Sequence, residues 1–485
     1  MKSLAFSMFA LVACSVSLAF GQDAGRLPAF PGAEGFGAAS VGGRGGRVIQ
    51  VTNLNPSGAG SLQAACEAKG PRIVVFRVSG VIRGNVIIRD SNITIAGQTA
   101  PGAGMTIEGI LGTQFSNWDK PPGDPARHMY HDIIIRHLRA RPPEPRGSNG
   151  DCIQISDCDR VILDHVSVSW GSDENIDLCA SRNVTVQWCT IEESDVRRTQ
   201  DAPPAKEPHN HGMILGYAGK NASIHHNLFA HHSYRSPLCG MEVMDHRNNV
   251  IYDLGVGVCW HPPRMNRQRP GENFRANVVG NYFKPGPSAL KDPKQGKWIG
   301  PMILGRYSHL FAEGNYFSWA GGYLDIWKAP LPPGVFDRTN CVQAETGWPA
   351  EPVTTQWAEK AYELVLAQGG CFPRDAVTRR TIEEVREGTG SWGRHDPEGG
   401  LLAGLKAAAP PPDADADGMP DAWERAHGLN PQDPSDANKT VPAGASPADR
   451  NKGYTYIEYY INELADGLIP PPGATTAEAS SGKNR

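Results

Sequence analysis

Short runs of β-branched and aliphatic residues recur along this chain, and each is too brief to bury an apolar face by itself. They are Ile73-Val74-Val75, Val86-Ile87-Ile88, Ile93-Thr94-Ile95, Ile133-Ile134-Ile135, Val161-Ile162-Leu163, Val184-Thr185-Val186 and Val250-Ile251-Tyr252, irregularly spaced, commonly about twenty to forty residues apart. A second echo sets Asn before apolar or aromatic residues, at Asn227-Leu228-Phe229, Asn249-Val250-Ile251, Asn281-Tyr282-Phe283 and Asn315-Tyr316-Phe317. One coil of a parallel β-helix per echo accounts for both, because stacked coils share a continuous core and irregular insertions become loops on one side. A β-sandwich is the structural alternative. It calls for tight hairpin signals between alternating strands, and Asn149-Gly150 is a single instance. The 55 Gly and 40 Pro among 485 residues favour turns and speak against a helical bundle.

Between Gly150 and Asp177 the strand-like runs alternate with Asp151, Asp157, Asp159, Asp164, Asp173, Glu174 and Asp177. Carboxylates in register on stacked strands supply hard oxygen ligands of the kind calcium takes. Asp also favours turns by bonding its own backbone, so each acid has a structural reading beside the metal one. A formal charge of −4 with scattered Lys and Arg gives no basic stripe, and nothing points to a nucleic-acid partner.

Residues 1–21 carry an early Lys, an apolar stretch and Ala19-Phe20-Gly21, the pattern of a cleaved export signal. The stretch is too short and Ser-broken for a membrane span, which wants about 20 apolar residues. Secretion is the expected outcome, with a periplasmic site or lipid anchoring through Cys14, in Leu11-Val12-Ala13-Cys14, as alternatives. Beyond Cys14 nine cysteines remain, an odd number that leaves at least one unpaired thiol. Cys152, Cys179 and Cys189 sit in strand-like patterns where cysteine packs as a small hydrophobe.

Helical spacing over 355–368 and 375–387 predicts two helices that cap or flank the barrel of residues 22–405. The Ala/Pro segment 406–412 is a stiff linker to a small module, 413–469, and 470–485 reads as a disordered tail. The module opens on a twelve-residue calcium loop with acids at its first, third, fifth, ninth and twelfth positions and Gly418 at the sixth. Asp413, Asp415, Asp417 and Glu424 are expected to ligate by side chain, Met419 by its carbonyl, and Asp421 directly or through water.

Longer segments carry a family resemblance. FPGAEGFGAASVGGRGGRVIQVTNLNPSGAGSL (30–62), SNITIAGQTAPGAG (91–104), IIIRHLRAR (133–141), VILDHVSVSW (161–170) and NASIHHNLFAHHSYRSPL (221–238) resemble the pectate lyases of polysaccharide lyase family one, over roughly residues 28 to 320. The resemblance implies a secreted, right-handed parallel β-helix, so that with the C-terminal loop the whole reads as a mainly β protein, a β-helix carrying a small C-terminal calcium-binding module. It also implies calcium-dependent β-elimination of polygalacturonate, giving 4,5-unsaturated products. By the same resemblance Asp151 and Asp177 are calcium ligands, with Glu174 or Asp173 as a third. Asn149 stands where relatives often carry another acid. Arg235, in Arg235-Ser236-Pro237-Leu238, matches the arginine assigned as proton-abstracting base, and charge stabilisation is the rival role for a group that normally stays protonated. Cys239 and Gly240 follow where the family usually has a second arginine. Lys206 lies near the position of a substrate-binding lysine, which His209 or His211 could also fill. Asp164-His165 matches a motif that braces the calcium face.

The expected partner is a polygalacturonate or pectin chain met by a monomer, with Ca2+ as cofactor. Two other functions stay open at this level: a polygalacturonase-type hydrolase, which needs paired carboxylates and yields saturated products, and a non-catalytic polysaccharide-binding β-helix, which tolerates loss of Arg235. His225-His226 and His231-His232 read as stacked polar turns whose neighbouring side chains point to opposite faces.

Overall fold

The recurring triplets form the rungs of three sheets in the computed structural model, which describes residues 27–113, 129–143, 150–195, 210–216, 219–255, 258–260, 274–288, 302–303, 308–328, 341–443 and 450–471. The sheets have eleven, eight and ten strands, and beyond the first pair, Arg47–Val51 with Arg72–Phe76, and the last, Tyr316–Phe317 with Gly322–Tyr323, each strand pairs with its equivalent one coil away rather than with its chain neighbour. Pairing is parallel throughout the described strands except where Tyr316–Phe317 meets Gly322–Tyr323. This is a parallel β-helix.

Its register explains the triplets. Along the eleven-stranded sheet Ile95 pairs with Ile135, Ile135 with Leu163, Leu163 with Val186 and Val186 with Ile224. All five are fully buried. Burying such a side chain contributes roughly 1.5–3 kcal/mol, and each column repeats that gain from coil to coil. His246 continues the column at zero exposure, where burial pushes its imidazole down to about 3 and keeps it neutral.

The Asn echo is a ladder inside the corner between the eleven- and ten-stranded sheets. Asn249 Oδ1 accepts the N–H of Asn227, Asn281 Oδ1 that of Asn249, and Asn315 Oδ1 that of Asn281, at 2.9–3.0 Å. The residue before each Asn turns the corner in the left-handed region, at His226, Asn248, Gly280 and Gly314, with φ between 53° and 62°. Earlier coils make the same corner with His137, His165 and Trp188, whose rings stack with that of His226 at centroid spacings of 4.9, 6.2 and 4.4 Å.

The helices Ala358–Gln368 and Ala376–Glu387 flank the barrel. Val365, Leu366, Ile382 and Val385 pack against Leu228, Ala230, Val250 and Tyr252 of the ten-stranded sheet. Asp375 caps the second helix and, with Glu192, encloses the fully buried Arg141 guanidinium, at 3.1 and 3.0 Å. The eleven-stranded sheet is covered from outside by Ala29 and Phe30, which pack on Ile134 and Ile162, and by the helix Tyr456–Leu468 with Met419 and Ala437, which pack on Ile73, Val75 and Ala96. Cys66, Cys152, Cys158, Cys179, Cys189, Cys239, Cys341 and Cys371 are free thiols, and Cys152, Cys179 and Cys189 are buried as expected of small hydrophobes. No helix among the described residues is long and apolar enough to cross a membrane.

Candidate active site

The eight-stranded sheet carries the acids. Its strand Glu174–Asp177 pairs with Ile153–Gln154 on one side, in register Ile153 to Ile176, and with His211–Leu215 on the other, in register Glu174 to His211. His211 bridges in turn to Tyr234. Asp151 stands two residues ahead of Ile153, as Glu174 stands two ahead of Ile176, and its Oδ1 accepts the Glu174 N–H at 3.0 Å. Asp151, Glu174, His211 and Tyr234 therefore form one column across four coils.

Arg235 is aimed at this column by an unusual backbone. Its φ is 61°, a left-handed conformation that costs a non-glycine residue of order 1–3 kcal/mol. The Met213 N–H donates to its carbonyl at 2.7 Å, and the Gly212 N–H to that of Tyr234 at 3.1 Å, which fixes the turn to the neighbouring strand. From there the guanidinium pairs with the Glu174 carboxylate, 5.8 Å from the centre of the Tyr234 ring. His211 Nδ1 lies 3.6 Å from Glu174 Oε1 and 3.9 Å from Asp173 Oδ1.

The electrostatics are those of a crowded anionic site. Burial, then the charges of Asp177 and Asp173, push the Asp151 carboxyl well above its usual range, while Arg235 pulls it back. Burial likewise raises Asp177, against hydrogen bonds from the Cys179 N–H at 2.7 Å and Ser156 Oγ at 3.4 Å, and Asp173 adds to the rise. Three hard oxygen donors that repel one another's ionised forms suit a divalent cation such as calcium. Asp173, Glu174 and His211 bring ligand atoms within 4.8 Å of one another, Glu174 being also engaged by Arg235, and Asp151 and Asp177 are the neighbouring carboxylates.

Of the predicted site residues, the structure brings together Asp151, Asp173, Glu174, Asp177, His211 and Arg235. Asn149, Lys206 and His209 lie outside the described residues. Tyr234, missed in the sequence, stacks at a tilt on His211 with ring centres 5.6 Å apart; its position immediately before Arg235 was the available signal. Asp164 belongs to the bracing: its carboxylate takes Arg136 Nε at 2.8 Å, Gln187 Nε2 at 2.8 Å and His165 Nδ1 at 2.9 Å. Despite burial, His165 and Arg136 hold it far below the usual carboxylate range.

The first histidine pair departs from the expectation of opposite faces, while His226 does stack at its turn on Trp188. The left-handed turn at His226 folds the chain so that both rings of the first pair are buried and their Nδ1 atoms lie 2.9 Å apart. In the second pair His231 bonds Asp253 at 2.8 Å and His232 Nε2 the Glu192 carbonyl at 2.7 Å. Strand alternation fails at the first pair because His226 forms a corner.

No protein-family model matches the chain. It is 34% identical over 463 residues to the probable pectate lyase C of Aspergillus fumigatus, across 93% of this chain and 97% of that protein. It is 32% identical over 474 residues to the probable pectate lyase C of Aspergillus terreus, across 95% and 98%. Among solved structures, pectate lyase Bsp165PelA from Bacillus sp. N165 in complex with trigalacturonate aligns with a TM-score of 0.43 at 18% identity, over 70% of this chain and 98% of that one.

Proposed function

We propose, since this chain belongs to the pectate lyase family, that it is a secreted, calcium-dependent enzyme cutting polygalacturonate by β-elimination to 4,5-unsaturated oligogalacturonates. The observation that carries this reading is the Arg235 guanidinium paired into the cluster of Asp151, Asp173, Glu174 and Asp177. Membership makes the protein a pectate lyase; calcium use, export and product are the finer steps proposed here.

In the reaction the C5 proton of a uronate leaves, its electron pair becomes the C4–C5 double bond, and the C4–O4 bond breaks with protonation of the departing oxygen. The C5 proton is weakly acidic because the adjacent carboxylate is already negative. Calcium held by Asp151, Asp173 and Asp177 would supply the positive charge that offsets this. Arg235 is the group assigned to take the C5 proton. To act as a base the guanidinium must give up a proton, which alkaline conditions favour. His211 and Tyr234, next in the column, orient the sugar ring, with Lys206 and His209 as further candidates for the substrate carboxylate.

The test is steady-state kinetics of Arg235→Ala and Arg235→Lys on polygalacturonate. Loss of the base is expected to lower kcat by roughly 10²–10⁴-fold, with KM changed far less, and Lys should restore part of it with a shifted pH profile. If Arg235→Ala turns over like wild type, the assignment is wrong.

A further inference from the structure

We propose that segment 413–424 together with Asp436 forms a second calcium site, separate from the acids of the eight-stranded sheet, which clamps the carboxy-terminal module onto the first coils of the β-helix. Asp413, Asp415 and Asp417 bring carboxylate oxygens within 4.8 Å of one another, and Asp417, Glu424 and Asp436 do the same. Asp417 is common to both groups, which makes one cluster of five acids.

Four of the five divide their oxygens in the same way. One oxygen fastens the backbone: Asp413 Oδ2 accepts the Gly418 N–H at 3.2 Å, Asp415 Oδ1 that of Asp417 at 3.3 Å, Asp417 Oδ1 that of Met419 at 2.8 Å, and Asp436 Oδ2 that of Asn430 at 3.1 Å. The other oxygen of each is buried without a hydrogen-bond partner, and so are both oxygens of Glu424, a residue at zero exposure. Unpaired buried carboxylates are costly unless a cation joins them, and an all-oxygen donor set of this charge selects calcium over softer metals.

Asp436 is the unexpected member. Spacing within the loop points to Asp421, yet Asp421 Oδ1 is taken by the Ala414 N–H at 2.8 Å and its other oxygen faces Arg425. Asp436 opens a short 3-10 helix, Asp436–Asn438, and is 1% exposed. It reaches the loop from outside and so ties a second segment of the module to it.

The site also sits on the seam with the β-helix. Gln50 Nε2 donates to Asp413 Oδ2 at 2.6 Å and Arg77 lies 3.6 Å from the same oxygen. A Cβ on Gly418 would meet Val48 at 2.9 Å and Val75 at 3.2 Å, and Met419 is buried among Ile73, Val75 and Ile457. A cation that fixes the loop therefore fixes the surface that grips the first strands.

Full-length protein carrying Asp151→Asn and Asp177→Asn, to silence the other acids, is titrated with terbium, reading luminescence sensitised by the adjacent Trp423. Adding Asp436→Asn is expected to weaken binding by roughly tenfold or more, and Asp421→Asn by less than about threefold. Wild-type binding in the Asp436→Asn protein, or equal losses in the two, would overturn the ligand set. Hydrogen exchange of helix Tyr456–Leu468 in the wild-type chain, with calcium and then chelator, reads the clamp without any variant. Protection should fall on chelation, and unchanged protection would overturn the clamp.

Discussion

Replacing Asn249 by Ala probes the corner ladder at its centre. The substitution removes Oδ1, which accepts from the Asn227 N–H and from Asn227 Nδ2, both at 3.0 Å, and Nδ2, which donates to the Ile224 carbonyl at 2.7 Å and Asn281 Oδ1 at 3.1 Å. Three of those partners are compensated. Asn227 Nδ2 keeps the Val186 carbonyl, Asn281 Oδ1 keeps the Asn249 N–H, and the Ile224 carbonyl keeps its place in the parallel ladder with Val243–Arg247. The Asn227 N–H loses its partner at a position with zero exposure. At roughly 1–3 kcal/mol for a stranded buried group, the variant should lose about 1–3 kcal/mol. Urea denaturation of wild type and variant measures this as a shift of midpoint at constant slope. A loss below about 1 kcal/mol would mean that the corner exchanges its ladder bonds for water, and the reasoning would fail.

Two other perturbations follow from buried charge. Arg141→Met strands Glu192 and Asp375 in the interior, which should cost about 3–5 kcal/mol and expose the 376–387 helix to limited proteolysis; proteolytic resistance equal to wild type would count against the ion-paired anchor. His231 is buried, which disfavours its charge, but hydrogen bonds to Asp253 and Glu384 outweigh this and raise it to about 9. A folded value above the unfolded one means that its stabilisation is complete below about pH 6.5 and is lost as pH rises through about 9, a span worth about 3 kcal/mol. The stability difference between wild type and His231→Asn should shrink across that window, and a difference independent of pH would refute the pairing.

The coiled architecture was legible because its cause is local. Each triplet is a rung that needs neighbours, and each Asn echo is one step of the ladder. Asp151 and Glu174 were legible together for the same reason, since coils of similar length return them to one column, and Asp173 and Asp177 flank Glu174 on the same stretch of chain. Arg235 and His211 came from the resemblance and not from spacing, because the intervals that bring them to Glu174 vary from coil to coil. Tyr234 and Asp436 were missed. Tyr234 reaches His211 through an isolated bridge just before the left-handed turn at Arg235, which no composition signals, and Asp436 reaches the acidic loop through tertiary packing from outside the motif. The corner at His226 misled strand alternation because a residue with positive φ breaks the period of two.

The central claim is elimination at the acids around Asp151, and ultraviolet absorbance tests it most directly. Full-length protein is mixed with polygalacturonate at alkaline pH, first with calcium and then with excess chelator. Absorbance of unsaturated product that rises with calcium and stops with chelator is the predicted result. Reducing sugar without that absorbance would indicate hydrolysis and contradict the account.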